Sequence, residues 1–472
     1  MKATRLLFSG VTILATALAA CAGPATTAAP EAPTDAPAAT TAPTPVPPTE
    51  AAAPTEAPTE AAVAPSAGLT CATPIKIGLI GDYTGPLAVY GAMQVRSFML
   101  GMEYLAGAPG SAGEVFTVDM KENTFTIDGC EITVVVADDQ GNPETTATVA
   151  RELIESQGVD LLVGSVSSPT TATLQGLAQE NEKVLIVNPA AANDITGVNF
   201  NEYTFRTSRN NYQDFINLCS YLTTKYTKFV QIAPDNSFGQ GGAASGRDAC
   251  TKFGGEFVVD DIFAPIETTD FTPYMDQILD SGAEAWIVTW AGGGFVPMFQ
   301  AAREQGVFDE MVLAASLANN AAIPVYGPAV GQNSGILYHY MLPTNEINDW
   351  LVEQDIARYG TPPDLFDADG MNAAIMVIEG LKKTGGVATA DVLIPALEGL
   401  SFEGPKGTIA IRPEDHVAIQ DMYIVKILNV DDKDFKFFEL VETTRPEPPC
   451  LLPEGLKDRC GALPYGSLSG TP

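Results

Sequence analysis

Residues 131–187, EITVVVADDQGNPETTATVARELIESQGVDLLVGSVSSPTTATLQGLAQENEKVLIV, decide the fold class of this protein. Three short apolar runs alternate with two segments in which apolar residues recur at helical spacing. The apolar runs are predicted strands: 131–137, 160–164 and 184–187. The segments between them are predicted helices: 143–157 and 169–182. Such alternation predicts a parallel sheet with helices on both of its faces.

The same alternation extends in both directions along the chain. A buried strand at 75–81 (IKIGLIG) and a helix at 91–105 precede the deciding stretch. After it the pattern restarts, with predicted strands at 229–233, 256–262, 285–289 and 311–314. Helices are predicted before and between these strands, near 213–225, 239–253, 271–281 and 295–305. The fold class is therefore α/β, with two similar units rather than one long sheet.

The C-terminal third does not form a third unit of this kind. Three helices, near 345–359, 369–383 and 389–400, follow one another with almost no strand between them, and strand-like runs at 408–411 and 420–428 come last. Helices without strands must pack on a sheet formed elsewhere, so we expect the chain to cross back to the first unit. The result is two α/β lobes with a cleft between them, and ligands of open α/β sheets bind outside the carboxyl ends of the strands.

Composition excludes several classes of function. The 472 residues carry a formal charge of −33, which argues against binding to nucleic-acid phosphates, because that work requires clustered Lys and Arg. The chain has only two histidines, so a multi-histidine metal centre is not expected. We predict no cofactor and no metal.

The first residues read as a targeting signal. Lys2 and Arg5 precede an apolar stretch, 6–20, that is shorter than the roughly 20 residues of a membrane-spanning helix. It ends directly before Cys21 in a pattern that looks like a bacterial lipoprotein processing site; an ordinary secretory signal with an incidental cysteine is the alternative. Residues 22–68 are almost wholly Ala, Pro, Thr and Glu, a composition that cannot build a packed core. Such a tether extends at about 3.1 Å per residue in the limit, on the order of 100 Å in all.

Six further cysteines remain once Cys21 is set aside. An even number in an exported protein favours disulfides, although six cysteines allow fifteen pairings. None has the spacing of metal ligands. The predicted pairs are Cys71–Cys130, Cys219–Cys250 and Cys450–Cys460.

Residues 239–244 (GQGGAA) satisfy the dinucleotide fingerprint G-x-G-x-x-A and are the sharpest hint of an enzyme. However, 234–238 intervene between the preceding strand and the first glycine, whereas a dinucleotide site needs the turn immediately. A Gly-rich helix start beside the cleft is the preferred interpretation. His339 and His416 are expected to be packed or surface histidines, and the pair at 138–139 to form a turn.

Residues 164–171 (GSVSSPTT) are more informative. A strand ends there, hydroxyl side chains cluster, and Pro169 occupies the first position expected of a helix. Free backbone amides at a helix N-terminus, with Ser167 and Ser168 beside them, suit a carboxylate or similar anion.

Four motifs in the right order carry a resemblance to a known family: 75–91 (IKIGLIGDYTGPLAVYG), 164–171, 187–192 (VNPAAA) and 402–408 (FEGPKGT). The chain resembles the leucine/isoleucine/valine-binding protein family, type I periplasmic solute receptors of ABC transporters, over roughly residues 74–430. The resemblance implies a two-lobed type I periplasmic binding protein fold that closes on its ligand. It implies three hinge crossings, near 204–206, 335–340 and 403–406.

The implied domain boundaries follow from those crossings. Lobe 1 would comprise 71–204 and 336–403, and lobe 2 would comprise 205–335 and 404–440. Before them come the signal peptide, 1–20, and the tether, 21–70. A Pro-rich tail, 441–472, ends the chain.

The resemblance also assigns roles in the cleft. Tyr90 would line it, Ser168 would hold the ligand carboxylate, and Ala190 would contribute backbone. Ala192 stands where the family usually has threonine. In the second lobe Phe238 matches a cleft aromatic, Ser316 aligns with the acid that holds the ligand ammonium, and Trp290 and Phe295 are candidates for an aromatic wall.

The departure at Ser316 matters because a buried ammonium without a counter-charge costs several kcal/mol. No acid occurs between 312 and 324. Either Asp235, Asp367 or Asp369 replaces it, or the ligand carries no ammonium.

We therefore expect a monomeric, lipid-anchored, extracytoplasmic receptor that is not an enzyme. It would capture a small polar solute, a branched-chain amino acid or a related amino acid or amide, and pass it to ABC permease subunits. Its contact with the membrane would be through the lipid alone. A ligand sensor of the same fold, coupled to a signalling partner, is the second hypothesis. A nucleotide-dependent enzyme, resting on 239–244, is the third.

Overall fold

A computed structural model describes residues 68–113 and 122–470. The predicted signal peptide, Cys21 and the tether up to residue 67 lie outside the described residues. The strands are β1 Ile75–Gly81, β2 Glu122–Ile127, β3 Cys130–Asp138, β4 Leu161–Val163, β5 Leu185–Val187, β6 Thr204–Arg206, β7 Lys228–Pro234, β8 Glu256–Phe257, β9 Ile262–Ala264, β10 Ala285–Val288, β11 Val312–Ala315, β12 Asn333–Ile336, β13 Ser401–Gly404, β14 Gly407–Ile411, β15 Ala418–Ile419, β16 Met422–Ile427 and β17 Phe438–Thr444. The helices are α1 Ala88–Ala106, α2 Pro143–Arg151, α3 Ser168–Glu180, α4 Asn211–Leu222, α5 Ser237–Lys252, α6 Thr272–Asp280, α7 Phe295–Glu304, α8 Val307–Glu310, α9 Glu346–Tyr359, α10 Asp367–Thr384 and α11 Ala390–Leu397.

The first sheet has the strand order β2-β3-β1-β4-β5-β6 and is parallel except at its edge. There β2 pairs antiparallel with β3, and the sequence did not predict it, because only two of its six residues are buried. The predicted helix at 143–157 is interrupted, since α2 ends at Arg151 and a π-helical turn occupies Glu152–Ser156.

The C-terminal helices pack on this first sheet, as the sequence predicted. Buried residues of α10 and α11 share one hydrophobic cluster with β1 and β3. The contact of α1 with α10 is close, since a Cβ at Gly101 would stand 2.7 Å from the Cβ of Ala374. We call the first sheet with these helices and the small sheet β13-β14-β15, which packs in the same cluster, the first lobe. The predicted crossing near 403–406 is therefore wrong, because these residues join β13 to β14 as a hairpin within the first lobe.

The second sheet has the order β11-β10-β7-β8, with β9 pairing alongside β7. The predicted single strand at 256–262 is two short strands, β8 and β9, which pair with opposite ends of β7. The acids Asp260 and Asp261 fall in the break between them. The sheet β12-β16-β17 packs in the same hydrophobic cluster as β7 and β10, and we call this whole body the second lobe.

Two-lobed α/β architecture is thus present, with chain segments passing between the lobes. The predicted tail boundary at 441 falls inside β17, so this edge strand belongs to the fold.

All three predicted disulfides are formed, Cys71–Cys130, Cys219–Cys250 and Cys450–Cys460. Within 68–113 and 122–470, no helix combines the length and the apolar character needed to cross a bilayer.

Candidate functional site

A cavity of about 350 Å³ lies between the two lobes. From the first lobe it is lined by the segments that follow β1, β3, β4 and β5, and from the second by those that follow β7, β9, β10 and β11. Parallel strands present their carboxyl ends at one edge of a sheet, so both sheets direct these loops toward the same space. The cavity is therefore at the position where α/β sheets bind ligands.

One wall of the cavity is the start of α3. Ser167 and Ser168 both line it, and Pro169 stands in the first turn. The first amides of a helix have no partner within the helix, and the aligned peptide dipoles favour negative charge there. The Ser168 hydroxyl oxygen accepts a hydrogen bond from the Ala192 amide at 3.1 Å. That bond fixes the hydroxyl and leaves its proton for an acceptor on the ligand.

Arg209 places a buried positive charge in the same wall. Its side chain is 1% exposed and lines the cavity. Nε donates to Asp214 Oδ1 at 3.2 Å, and Nη1 donates to the carbonyl of Pro189 at 2.9 Å. The guanidinium also lies over the ring of Phe366, 5.3 Å from its centroid. In the described part of the chain no hydrogen bond is formed by Nη2, which is thus available to an anion.

Sequence reasoning missed Arg209. The only signal is a basic residue close to the predicted crossing at 204–206, and Arg206, at the end of that crossing, carries the same signal. The structure separates the two, because Arg206 is directed into the protein, where Nη1 donates to the Ala190 carbonyl at 2.5 Å and Nε to Thr196 Oγ1 at 2.9 Å.

Tyr90 forms an aromatic wall with Phe366. The two rings meet edge to face, with centroids 5.0 Å apart, and Tyr90 is 2% exposed. The Tyr90 hydroxyl accepts from the Gly292 amide at 3.3 Å and from Asn319 Nδ2 at 3.5 Å. Both donors belong to the second lobe, so Tyr90 joins the lobes across the cavity. Burial raises the pKa of Tyr90, which keeps the hydroxyl neutral.

The three acids that the sequence analysis named as counter-charges for a ligand ammonium lie in three different surroundings. Asp235 lines the cavity at its exposed rim, with one oxygen accepting from Gln240 Nε2 at 2.7 Å; Glu267 is a second rim acid. Asp367 is instead paired with Arg96. Asp369 is fully buried away from the cavity, and burial raises its pKa to about 6. Of the three candidates, only Asp235 faces the ligand space.

Of the other residues predicted to line the cleft, some line the cavity and some do not. Ala190 and Phe238 line the cavity. Ala192 does not, because its amide donates to Ser168 and its carbonyl accepts from Arg206. Ser316 lines a separate, narrow cavity beside Asn211 rather than this one.

Trp290 and Phe295 do not form a wall of the cavity either. Both are core residues, 0% and 1% exposed, and the Trp290 ring packs against Phe271 with centroids 5.2 Å apart. In that region the cavity is lined instead by Ala291.

The glycines at 239–244 serve helix packing. Helix α5 begins at Ser237, and the Asn236 side chain caps it by accepting from the Gly239 amide at 3.1 Å. A Cβ at Gly242 would stand 2.7 Å from Thr289 Cγ2, so glycine allows the helix to approach Thr289, which directly follows β10. The predicted Gly-rich helix start beside the cleft is confirmed.

The other sequence candidates are structural. His416 stacks on Phe205 with ring centroids 3.8 Å apart, and burial lowers the pKa of His339 to about 4. Asp138 accepts from the amides of Tyr83 and Gln140, as a turn-forming residue does.

Tyr90→Phe tests the bond between the lobes. The ring and its contact with Phe366 remain, while the hydroxyl that accepts from Gly292 and Asn319 is lost. We expect ligand affinity to fall at least about 5-fold, since each neutral hydrogen bond contributes about 1 kcal/mol. Titration calorimetry measures the affinity, and Tyr104→Phe on the same helix is the control. An unchanged affinity would contradict this role.

Comparison with known proteins agrees with this geometry. A family model described as "Periplasmic binding protein" matches residues 74–434. The Leu/Ile/Val-binding protein homolog 6 of Brucella abortus (strain 2308) is 26% identical over 397 residues, which cover 79% of this chain and 94% of that protein.

Two solved structures share the fold. An ABC-type branched-chain amino acid transporter from Rhodopseudomonas palustris CGA009 is 32% identical, with a TM-score of 0.66, and covers 79% of this chain and 96% of its own. A solute binding protein of an ABC transporter from R. palustris BisB5, crystallised with 3,4-dihydroxy benzoic acid, is 24% identical, with a TM-score of 0.68. It covers 79% of this chain and 97% of its own.

Proposed function

Because this chain belongs to the periplasmic binding protein family, whose members bind substrates and are not enzymes, we propose that it is the solute receptor of an ABC importer. It captures a small carboxylate-bearing solute, a branched-chain amino acid or a close relative, between its lobes. Closure of the lobes signals occupancy to the permease.

The observation that carries the proposal is the wall made by Arg209 and the start of α3. A buried guanidinium whose Nη2 has no hydrogen bond to the described residues, beside helix amides and the Ser168 hydroxyl, is complementary to a carboxylate. The opposite side of the cavity offers apolar and aromatic groups, Leu317 and Phe238 among them, which suit an aliphatic or aromatic body.

The rim acids Asp235 and Glu267 favour an amino acid. Both are exposed, and a hydrated carboxylate at the rim accepts an ammonium without the cost of burying an unpaired charge. The second candidate is an aromatic carboxylate, favoured by the three aromatic rings of Tyr90, Phe238 and Phe366 in the lining.

A matched ligand series decides between them. We would titrate the purified protein with leucine, leucinamide, 4-methylpentanoate, 4-hydroxybenzoate and 4-hydroxybenzyl alcohol in a calorimeter. An amino-acid receptor binds leucine and loses affinity both for leucinamide, which lacks the carboxylate, and for 4-methylpentanoate, which lacks the ammonium. An aromatic-acid receptor binds 4-hydroxybenzoate and rejects the alcohol. Binding of leucinamide as tightly as leucine would contradict the carboxylate wall.

We further propose that Cys21 carries a lipid and that residues 22–68 tether the receptor to the outer face of the membrane. Metabolic labelling with radioactive palmitate should mark the wild-type protein and not Cys21→Ser.

Uptake of labelled ligand by cells with and without the gene separates import from a sensing role. Sedimentation of the purified protein tests the expected monomer.

A further inference from the structure

The C-terminal segment 445–470 follows β17 and lies beyond the 74–434 stretch that matches the family. We call it the strap. It contains the Cys450–Cys460 disulfide, whose loop has a small buried core of its own with Leu452. Because the loop is closed by a covalent bond, it contacts the rest of the protein as one unit.

The middle of the strap is attached to the first lobe. Arg459 pairs with Glu398 at the end of α11 and donates to the carbonyls of Glu414 at 2.6 Å and Pro413 at 2.7 Å. Its guanidinium lies over Phe200, 5.1 Å from the ring centroid. Leu451 packs against Gly197, where an added Cβ would stand 3.0 Å from the Leu451 Cβ.

The end of the strap is attached to the second lobe, and its start lies where the two lobes meet, since Arg445 donates to the carbonyls of Thr408 in β14 and Ile419 in β15, both at 3.1 Å. Near its start, the carbonyl of Pro446 accepts from Gln213 Nε2 of α4 at 3.4 Å. Near its end, Asp248 of α5 accepts from the amides of Leu468 at 2.6 Å and Ser469 at 3.1 Å. The chain therefore leaves the second lobe, covers part of the first, and returns.

The strap also crosses the line along which the lobes touch. Asn193 of the first lobe donates to Ser245 Oγ of α5 at 2.7 Å. A cavity of about 430 Å³ beside this contact is lined by Asn193, Gly241 and the strap residues Leu451 and Tyr465. Separation of the lobes here pulls the middle of the strap, which is held by the first lobe, away from its end, which is held by Asp248 of α5.

We propose that the strap is an additional connection between the lobes, which holds them in the closed arrangement and opposes opening. The inference rests on the proposed closure around a solute. A contact made only when the lobes are together shifts the equilibrium toward the closed state by its own free energy. The strap acts on the cleft without touching the ligand.

The test uses the ligand-free full-length protein and hydrogen–deuterium exchange. Arg459→Met removes the charge that holds Glu398 and keeps an unbranched apolar chain over Phe200. Amides of the cleft peptide 290–294, which include the Gly292 donor to Tyr90, should exchange about 5-fold faster. Those of the core peptide 77–80 should not change. Glu398→Gln, which removes the other half of the pair, should give the same result.

Lys457→Met is the matched control, because Lys457 is half exposed and its contacts with Glu454, 3.8 Å away, and with the ring of Tyr465, 4.6 Å from the centroid, both lie within the strap. It should leave peptide 290–294 unchanged. Faster exchange confined to 445–470, or equal acceleration of 77–80 and 290–294, would overturn the inference, since either would show a purely structural segment. The proposed function is judged separately, by whether leucine or 4-hydroxybenzoate slows exchange of 290–294 in the wild-type protein.

Discussion

Arg209→Met should weaken binding of the preferred carboxylate ligand about 100-fold, or about 2.7 kcal/mol. Among the residues that the structure describes, Arg209 is the only basic side chain that lines the cavity, and its Nη2 has no hydrogen bond to any of them. A charge-assisted hydrogen bond in a site shielded from water is stronger than a neutral one, and its loss leaves the ligand's anionic group partly unpaired.

The measurement must separate loss of the charge from loss of the fold. Arg209→Met also leaves Asp214 without its partner, so the melting temperature should fall as well. The diagnostic quantity is the ratio of affinities for the carboxylate ligand and its amide, which does not depend on stability. That ratio should be about 100-fold smaller in Arg209→Met than in the wild-type protein.

Arg209→Lys retains the charge and is the matched control. It cannot donate to Asp214, Pro189 and the ligand with fixed fork geometry, so an intermediate affinity is expected. If Arg209→Met kept the wild-type ratio of affinities for the carboxylate ligand and its amide, the amides of α3 and Ser168 would bind the carboxylate without help from Arg209.

Whether a strand could be predicted from the sequence depends on how many of its residues are buried. β1 and β3 were found because their residues are almost continuously apolar and buried. β2 and β17 were not, because they are edge strands with mostly exposed residues, and β17 has a single fully buried position. An edge strand is specified by the neighbour it pairs with, and that information is not local in the sequence.

The site was predictable where one loop contains it. Ser167 and Ser168 come from the end of β4, where strand, hydroxyl cluster and helix start are adjacent in sequence. Arg209 and Phe366 could not be found in this way. They come from segments 157 residues apart and meet only because the chain crosses between lobes and returns at the start of α10. Their cation–π contact is a product of tertiary structure.

The sequence makes Trp290 a candidate for an aromatic wall of the cleft, since Trp290 and Phe295 flank the glycines at 292–294. In the structure, Gly294 has a role in core packing instead. A Cβ at Gly294 would stand 2.7 Å from Cε2 of the indole, so Gly294 makes room for a buried ring. The same pattern of residues thus serves core packing rather than binding.

Trp290→Ala should accordingly lower the free energy of unfolding by about 3–5 kcal/mol, because truncating a fully buried aromatic side chain leaves a cavity. Trp290 is 0% exposed and packs edge to face on Phe271. Urea unfolding monitored by circular dichroism gives the change. Trp350→Ala is the matched control, since Trp350 is only partly buried and packs on Tyr104 at the surface of the first lobe; it should cost less than half as much. An unaltered urea midpoint for Trp290→Ala, accompanied by loss of ligand binding, would show that Trp290 lines the cleft and would contradict its place in the core.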